Sequence, residues 1–318
     1  METTHMTRIG TSDLDVYPLL LGGNTFGWTS DPATSFAVLD SYVSAGGNFV
    51  DTSDSYTMPD KTDGDSETIL GQWFQKRERR DDIVLATKVG LRADTFGLAP
   101  DNVARAAEAS LARLNTDYID IYYAHYDDAK TPLVETVAAF DALVQSGKVR
   151  HVGISNYSAD RIAEWLTVCD DNGFAKPIAL QPNYSLVARQ NFEAGVRPLA
   201  QKFDLAVFPY WVLASGFLTG KYRTEADLEG AERGPFAGRF FSAEGLAVVA
   251  ELDTIAQEHR VAIATVALAW TRQQPTIVAP LASARVPEQL GALLASVDLE
   301  LSAFELDRLN SISSYDKK

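Results

Sequence analysis

Short apolar runs alternate with segments of helical periodicity along the whole chain. The runs are rich in β-branched and aromatic residues and are almost continuously apolar, which is typical of strands covered on both faces. Eight runs are predicted as strands, at residues 19–22, 48–51, 83–88, 118–125, 149–155, 178–181, 205–210 and 276–280. This alternation predicts a parallel sheet whose strands are joined by helices.

Helices are predicted between the strands from apolar periodicity and from start and stop signals. Ser158 stands where one helix would begin, and Gly147 and Gly173 follow predicted helix ends. The predicted helices cover residues 33–45, 66–79, 100–114, 133–146, 159–170, 192–202 and 262–273. Eight strand–helix repeats without a dividing linker favour an α/β (β/α)8 TIM barrel, formed by residues 1–318 as a single domain.

Two segments exceed a minimal barrel. A long insertion is predicted after strand 7, between Tyr210 and the helix at 262–273, and an extra C-terminal helix is predicted at 302–313. Long insertions after barrel strands commonly form the active-site face. We therefore expect the insertion to contribute to a binding site.

Composition narrows the classes of function. Of 318 residues 46% are hydrophobic, and the net charge is −15, so binding to nucleic acid or to an anionic membrane is not expected. The longest apolar run, at 261–270, is too short to span a bilayer, and the N-terminus lacks an apolar signal core. With a single cysteine, Cys169, the chain fits a reducing compartment, and we expect a cytoplasmic protein whose oligomeric state the sequence leaves unknown.

Several well-known site motifs are absent from the sequence. It contains no G-x-S-x-G, no G-x-G-x-x-G and no P-loop. The four histidines are scattered, with no spacing typical of metal ligands, and so no metal site is expected. The chemistry must therefore come from other residues.

Polar side chains follow the predicted strands at their carboxyl ends, which in a barrel share one rim and carry the catalytic groups. These strand-end residues are Asp51, Lys88, His125, Ser155 with Asn156, Gln181 and Tyr210. A cap or loop hydrogen bond would explain any one of them alone. Six such ends together predict a site at this rim.

Asp51, Tyr56, Lys88 and His125 suit proton transfer to a carbonyl oxygen. A free phenol has a pKa near ~10 and is a poor proton shuttle at neutral pH unless a cation stabilises its anion. Lys88 would supply that cation, and Asp51 would hold Lys88 charged and in place. His125 would orient the carbonyl by a hydrogen bond.

These residues and their spacing resemble the aldo-keto reductase superfamily. The resemblance rests on Asp51 to Tyr56, Thr87-Lys88 and the segment ending in His125, and it continues through most of the chain, in the segments 152–156, 181–184, 210–214, 216–222 and 287–289. The family resemblance implies reduction of an aldehyde or ketone by hydride from NADPH (NADP+ when oxidised), bound without a Rossmann fold. Tyr56 would protonate the oxygen of a small-molecule carbonyl substrate.

The resemblance also implies cofactor-binding residues. Ser155, Asn156 and Gln181 would bind the carboxamide, and Tyr210 would stack under the nicotinamide ring. The pyrophosphate would be held by Leu213, Ala214, Gly216, Lys221 and Arg239. The adenosine 2′-phosphate would be held by Ser283, Arg285 and Gln289, where arginine suits a dianion.

The sequence departs from the family pattern at three places. Thr57 stands where glycine is usual and is followed by an acidic loop at 58–65, which predicts a differently shaped substrate mouth. Trp211-Val212 replaces a small residue and proline, and Ala292-Leu293 replaces a polar pair that holds adenine in many relatives. NADPH preference would then rest mainly on Arg285.

Three aromatic residues near the predicted rim, Trp28, Tyr126 and Trp211, are candidates for the substrate pocket, with ordinary packing as the alternative for each. Two alternative functions stay open. The same site could work as an NADP-dependent alcohol or sugar dehydrogenase, or the protein could be an NADPH-sensing regulatory subunit like the family's channel-associated members. The barrel pattern begins by about residue 8, leaving no long N-terminal segment of the inactivation type, which favours an enzyme.

Overall fold

A computed structural model of the chain describes residues 6–57 and 65–315. Eight parallel strands form one sheet, in the spatial order β10-β3-β4-β5-β6-β7-β8-β9, and an antiparallel hairpin, β1–β2, precedes them. The strands are β1 Thr7–Arg8, β2 Asp15–Val16, β3 Leu20–Gly22, β4 Phe49–Asp51, β5 Val84–Val89, β6 Ile119–Ala124, β7 Val149–Ser155, β8 Pro177–Gln181, β9 Ala206–Val207 and β10 Leu281–Ala282.

Helices surround this sheet. They are α1 Pro32–Ser44, α2 Asp65–Arg77, α3 Pro100–Leu114, α4 Leu133–Gln145, α5 Ala159–Asn172, α6 Arg197–Phe203, α7 Gly234–Ala237, α8 Ala243–His259, α9 Ile263–Arg272, α10 Leu290–Leu294 and α11 Ala303–Ile312. The Asp31 side chain accepts from the Thr34 amide at the start of α1, and Ser158 caps α5 in the same way. α5 ends at Gly173 with a left-handed φ of 70°.

The ends of the sheet meet through the segment 276–281. The Val207 amide donates to the Thr276 carbonyl, the Val278 amide donates to the Val207 carbonyl, and β10 pairs with β3. The predicted (β/α)8 barrel is therefore confirmed. The predicted eighth strand at 276–280 is wrong in position, because the paired strand is Leu281–Ala282 and the preceding residues form only a bridge at Ile277.

Two other predicted elements differ from the structure. The run at 205–210 contains only the two-residue strand β9, since Pro209 has no amide hydrogen for a ladder. The helix predicted at 192–202 begins as a π-helix, Asn191–Val196, and continues as α6. The insertion after strand 7 also contains α8, a 17-residue helix that was not predicted.

The barrel interior is filled by apolar side chains. Leu20, Phe49 and Phe208 are fully buried in one cluster with Ile9 and Val16 of the hairpin region. Phe49 and Phe208 pack edge to face with their ring centroids 5.0 Å apart. The hairpin thus packs against the amino ends of the strands, which leaves the carboxyl ends for a site.

Candidate active site

Lys88 joins three groups at the carboxyl ends of β4 and β5. Its Nζ donates to Asp51 Oδ2 at 2.5 Å and to the Thr52 carbonyl at 2.7 Å, and it lies 3.2 Å from the Tyr56 hydroxyl. The Lys88 and Asp51 side chains are almost completely buried. Burial lowers the pKa of Lys88, but the adjacent Asp51 and Tyr56 hold that pKa above its ordinary value, so Lys88 is protonated at neutral pH.

Tyr56 connects this buried ion pair to the cavity. Its side chain lies beside Lys88 Nζ, which is 4.7 Å from the ring centroid. Burial raises the pKa of Tyr56, and Lys88 opposes that rise. The phenol therefore carries its proton at neutral pH, beside a cation that would stabilise the anion formed when the proton leaves.

His125 follows β6 and packs edge to face against Tyr56, with ring centroids 6.2 Å apart. Its Nδ1 lies 3.2 Å from Ser53 Oγ, and its amide donates to the Val89 carbonyl. Burial, together with the charge on Lys88, lowers the pKa of His125 well below its ordinary value. The imidazole is therefore neutral at physiological pH. The structure brings all four predicted catalytic residues together.

A cavity of about 990 Å³ opens at this rim, with Tyr56 and His125 in its wall and Asp51 and Lys88 behind them. The predicted cofactor residues that line it are Ser155, Asn156, Gln181, Tyr210, Leu213, Gly216, Lys221, Ser283, Arg285 and Gln289. Trp211 also lines it, as do Ala292 and Leu293, so the apolar pair noted in the sequence faces this cavity.

Hydrogen bonds hold the central wall of the cavity in place. Gln181 Nε2 donates to Asp51 Oδ1 at 2.8 Å, and Ser155 Oγ donates to the Gln181 carbonyl at 2.8 Å. Tyr210 donates to Asn156 Oδ1 at 2.7 Å, while Asn156 Nδ2 donates to the His125 carbonyl. These contacts connect the predicted carboxamide and stacking residues to the four predicted catalytic residues, Asp51, Tyr56, Lys88 and His125, which we call the tetrad.

The segment after Tyr210 has unusual backbone geometry. Trp211, Ala214, Ser215 and Gly216 all have left-handed φ values, between 47° and 92°. Such runs cost free energy in residues other than glycine and recur at ligand sites. A Cβ on Gly216 would lie 3.0 Å from Lys221 Nζ, so the absence of a side chain at Gly216 allows the Lys221 side chain to pack closely against the backbone.

Two arginines line the cavity. Arg285 was predicted there; Arg233, from the insertion, was not. Burial and the neighbouring charge of Arg285 lower the pKa of Arg233. Arg233 packs over the Trp28 ring at 5.4 Å, and its buried Nη2 has no hydrogen-bond partner among the described residues. No spacing or motif pointed to Arg233, because only the fold of the insertion places it there.

Some predicted residues lie elsewhere. Among the described residues, Trp28, Tyr126, Ala214 and Arg239 are not part of the cavity wall. Tyr126 packs against Phe96, Arg239 lies over the Trp211 ring, and Ala214 is fully buried. Their predicted roles stay predictions. Nearly all of the acidic loop predicted to reshape the substrate mouth, residues 58–64, lies outside the described residues.

A second layer of polar groups behind the tetrad was not predicted either. Asp54 and Glu67 are fully buried there, and Glu67 pairs with Arg113 at 2.6 Å. The sequence motif at residues 51–56 predicted roles for Asp51 and Tyr56 but none for the residues between them. Within the described ranges, no cluster of three or more histidine, cysteine or acidic side chains could hold a metal ion. No helix in those ranges has the length and apolar character to cross a membrane.

Comparisons with known proteins agree with this geometry. The sequence profile described as the Aldo/keto reductase family matches residues 18–314. The chain is 32% identical to Protein tas of Escherichia coli (strain K12), over 96% of each protein. It is 33% identical to the uncharacterized oxidoreductase YrpG of Bacillus subtilis (strain 168), over 98% of this chain and 96% of that protein.

A third relative is named as a channel subunit. The chain is 31% identical to a probable voltage-gated potassium channel subunit beta of Arabidopsis thaliana, over 96% of this chain and 95% of that protein. The family match covers nearly the whole barrel, and it confirms the resemblance seen in the sequence. The chain belongs to the aldo/keto reductase family of oxidoreductases.

Proposed function

We propose that this protein reduces an aldehyde or ketone to an alcohol by hydride transfer from NADPH, with Tyr56 as the proton donor. The observation that carries the proposal is the position of Lys88 Nζ, 2.5 Å from Asp51 Oδ2 and 3.2 Å from the Tyr56 hydroxyl at the cavity wall. A cation held there stabilises phenolate in the transition state more than phenol in the ground state, which is how a charge accelerates a reaction.

His125 completes the site by contacting the carbonyl oxygen. Because its imidazole is neutral, it can donate one hydrogen bond without competing with Tyr56 as an acid. The Tyr56 and His125 rings are neighbours with centroids 6.2 Å apart, and both residues line the cavity, so an oxygen atom bound between them would contact both. This arrangement favours a single orientation of the carbonyl group.

NADPH would supply the hydride. Its nicotinamide end would lie against Tyr210, Ser155, Asn156 and Gln181, beside the tetrad. The rest of the cavity suits its phosphates, because three cations line it, Lys221, Arg233 and Arg285. Among the described residues, none of these three side chains forms an ion pair within 4 Å. Two carboxylates, Asp227 and Glu232, share the cavity wall with them. Ser283 and Gln289 would complete the phosphate end, and Leu213 and Gly216 would lie along the pyrophosphate.

Substrate identity and cellular setting stay predictions. Trp211 gives the cavity an indole surface beside Tyr210, with ring centroids 5.9 Å apart, which suits a small carbonyl compound carrying an apolar group. A cytoplasmic location and the direction of the reaction in the cell stay open. The dehydrogenase alternative uses the same tetrad in reverse.

The test compares Tyr56→Phe with wild type. We expect the variant to bind NADPH with nearly unchanged affinity and to lose carbonyl reduction by two or more orders of magnitude, about 3 kcal/mol of barrier or more. Cofactor fluorescence measures NADPH affinity, and NADPH oxidation by a panel of aldehydes and ketones measures carbonyl reduction. Tyr157→Phe is the control, since this buried tyrosine is not part of the cavity wall.

Two outcomes would contradict the proposal. Near-normal turnover of Tyr56→Phe would show that Tyr56 is not the proton donor. Tight NADPH binding by wild type with no reduction of any compound in the panel would instead favour the sensing role.

A further inference from the structure

One ring nitrogen of His125, Nδ1, has a hydrogen-bond partner among the described residues. Nδ1 faces Ser53 Oγ at 3.2 Å, away from the cavity that the residue lines. A neutral imidazole carries one hydrogen, and the partner of one nitrogen determines which nitrogen carries it. His125 can donate to a carbonyl oxygen only with its hydrogen on Nε2. The function of His125 therefore depends on what Ser53 does.

Ser53 has one hydroxyl hydrogen and three neighbours that could receive it. They are His125 Nδ1, Asp54 Oδ1 at 3.3 Å and Ser55 Oγ at 2.9 Å. A carboxylate attracts that hydrogen more strongly than a neutral partner does. If Ser53 donates to ionised Asp54, Nδ1 must keep its own hydrogen and donate to Ser53, which leaves Nε2 bare. If Asp54 is protonated, Ser53 is free to donate to Nδ1, and Nε2 carries the hydrogen.

The surroundings of Asp54 place this choice near neutral pH. Its side chain is fully buried, and Oδ2 has no hydrogen-bond partner among the described residues. Glu67 of α2 is the neighbouring carboxylate that acts on Asp54, and Glu67 forms an ion pair with Arg113 of α3. Burial, followed by the charge of Glu67, raises the pKa of Asp54 to about 7.

Other charged and titratable groups also face Asp54. Arg113 and Arg92 lower its pKa and so oppose the rise. Tyr122 of β6 and Tyr56 both interact with its charge, and burial raises the pKa of each, so neither ionises near neutral pH. The Asp54 amide also donates to the carbonyl of Lys88 at 3.2 Å. Of Asp54, Tyr56 and Tyr122, it is therefore Asp54 that changes its charge near pH 7.

We propose that Asp54, acting through the Ser53 hydroxyl, selects the tautomer of His125 and thereby sets the upper pH limit of carbonyl reduction. The inference rests on the proposed function, and it makes Ser53 and Asp54 positioning residues. Protons balance in the change. As the pH rises, Nε2 releases one proton to the cavity, the hydroxyl proton of Ser53 passes to Nδ1, and the carboxyl proton of Asp54 passes to Ser53. The net loss is one proton.

The first test measures kcat/KM for reduction between pH 6 and 8. A group with a pKa of about 7 is only a tenth protonated at pH 8, so we expect wild type to lose about tenfold over this range. Asp54→Asn cannot ionise, and its amide can donate to Ser53 at every pH. Its profile should change by less than about twofold. Asp40→Asn is the matched control, since Asp40 accepts a hydrogen bond from Trp73 far from the tetrad.

The second test reads the tautomer directly and needs no turnover. In 15N-histidine-labelled protein, a protonated ring nitrogen and a bare one resonate far apart, and His125→Gln identifies the His125 signals. Wild type should carry the hydrogen on Nε2 at pH 6 and on Nδ1 at pH 8.5, whereas Asp54→Asn should keep it on Nε2. Ser53→Ala should uncouple the tautomer from pH, and Ser53→Thr, which keeps the hydroxyl, should restore the coupling.

The outcomes separate the two proposals. The same His125 tautomer in wild type at both pH values, or a switch that persists in Asp54→Asn, would overturn the inference and leave carbonyl reduction untouched. A tautomer switch in a protein that reduces no carbonyl compound would overturn the proposed function alone. If Asp54→Asn does not fold, the wild-type spectra and the comparison of Ser53→Ala with Ser53→Thr still test the inference.

Discussion

Single residues at this site act through burial. Lys88 and Asp51 are removed from water together, and each compensates the charge of the other. Breaking a buried pair from one side leaves an uncompensated charge, whereas replacing both partners with neutral groups does not. Variants of the pair should therefore affect stability and, if the proposed function holds, catalysis, and the two effects can be separated.

We predict that Lys88→Met abolishes carbonyl reduction and destabilises the fold by roughly 3–5 kcal/mol, because it leaves Asp51 buried and unpaired. The double variant Asp51→Asn with Lys88→Met should unfold at a higher temperature than Lys88→Met alone, while staying inactive. Thermal unfolding and NADPH oxidation measure the two effects. A double variant less stable than the single one would show that Asp51 is stabilised by Gln181 and not by Lys88.

Asp54 makes stability depend on pH. Its folded pKa of about 7 lies above the ordinary value of 3.8, so the native state holds a proton that the unfolded chain has lost between these pH values. Because the native state binds more protons than the unfolded chain in this pH window, the free energy of unfolding falls as the pH rises through it.

We therefore predict that Asp54→Asn is stabilised relative to wild type at pH 8, on the order of 4 kcal/mol more than at pH 4. Urea unfolding of both proteins at the two pH values measures the difference. An equal difference at both pH values would mean that folding does not raise the pKa of Asp54.

At the scale of elements, the loops that follow the strands bring distant parts of the chain to one cavity. Arg285 follows β10, while Arg233 and Lys221 come from the insertion after β9. Trp28, from the loop after β3, supports Arg233. Two segments far apart in the chain, one of them supported by Trp28, thus bring three cations to the cavity wall in a protein whose net charge is −15.

We predict that Arg285→Ala weakens NADPH binding about tenfold to a hundredfold, because a charged hydrogen bond to a phosphate contributes roughly 1.5–3 kcal/mol. NADH binding should change little, since NADH lacks the 2′-phosphate. Fluorescence titration of both cofactors measures this, with Arg223→Ala as control because Arg223 is exposed and pairs with Asp253. Equal weakening of the two cofactors would place Arg285 at the pyrophosphate.

For the whole molecule, the barrel interior supports the rim that carries the site. Phe49 directly precedes Val50 and Asp51 on β4 and is completely buried against Phe208. A cavity at this position would loosen the strand that holds Asp51.

We predict that Phe49→Ala lowers the free energy of unfolding by about 3–5 kcal/mol. Phe304→Ala, at a side chain that is 71% exposed, should change it by less than about 0.5 kcal/mol. Denaturant unfolding of both variants measures the contrast. A similarly small loss of unfolding free energy in both variants would mean that neighbouring side chains repack to fill the space left by Phe49.

Much of this molecule could be predicted from its sequence. Apolar runs and helical periods gave the barrel, because strands buried on both faces must be apolar and connecting helices must bury one side. Asp51, Lys88 and His125 were found as strand ends, since parallel strands bring their carboxyl ends to one rim. Local patterns of this kind are written in consecutive residues, and they need no knowledge of distant contacts.

The tertiary structure alone decided the rest. The position of β10 follows from its pairing with β3 and from the hydrogen bond of the Leu281 amide to the Pro209 carbonyl, and both partners are far away in the chain. Arg233 reaches Trp28 only because the insertion folds over the cavity, and Ser53 meets His125 across 72 residues. Burial, too, is a property of the folded whole. It keeps His125 neutral and raises the pKa of Asp54, and no sequence pattern encodes how much water a carboxyl group loses.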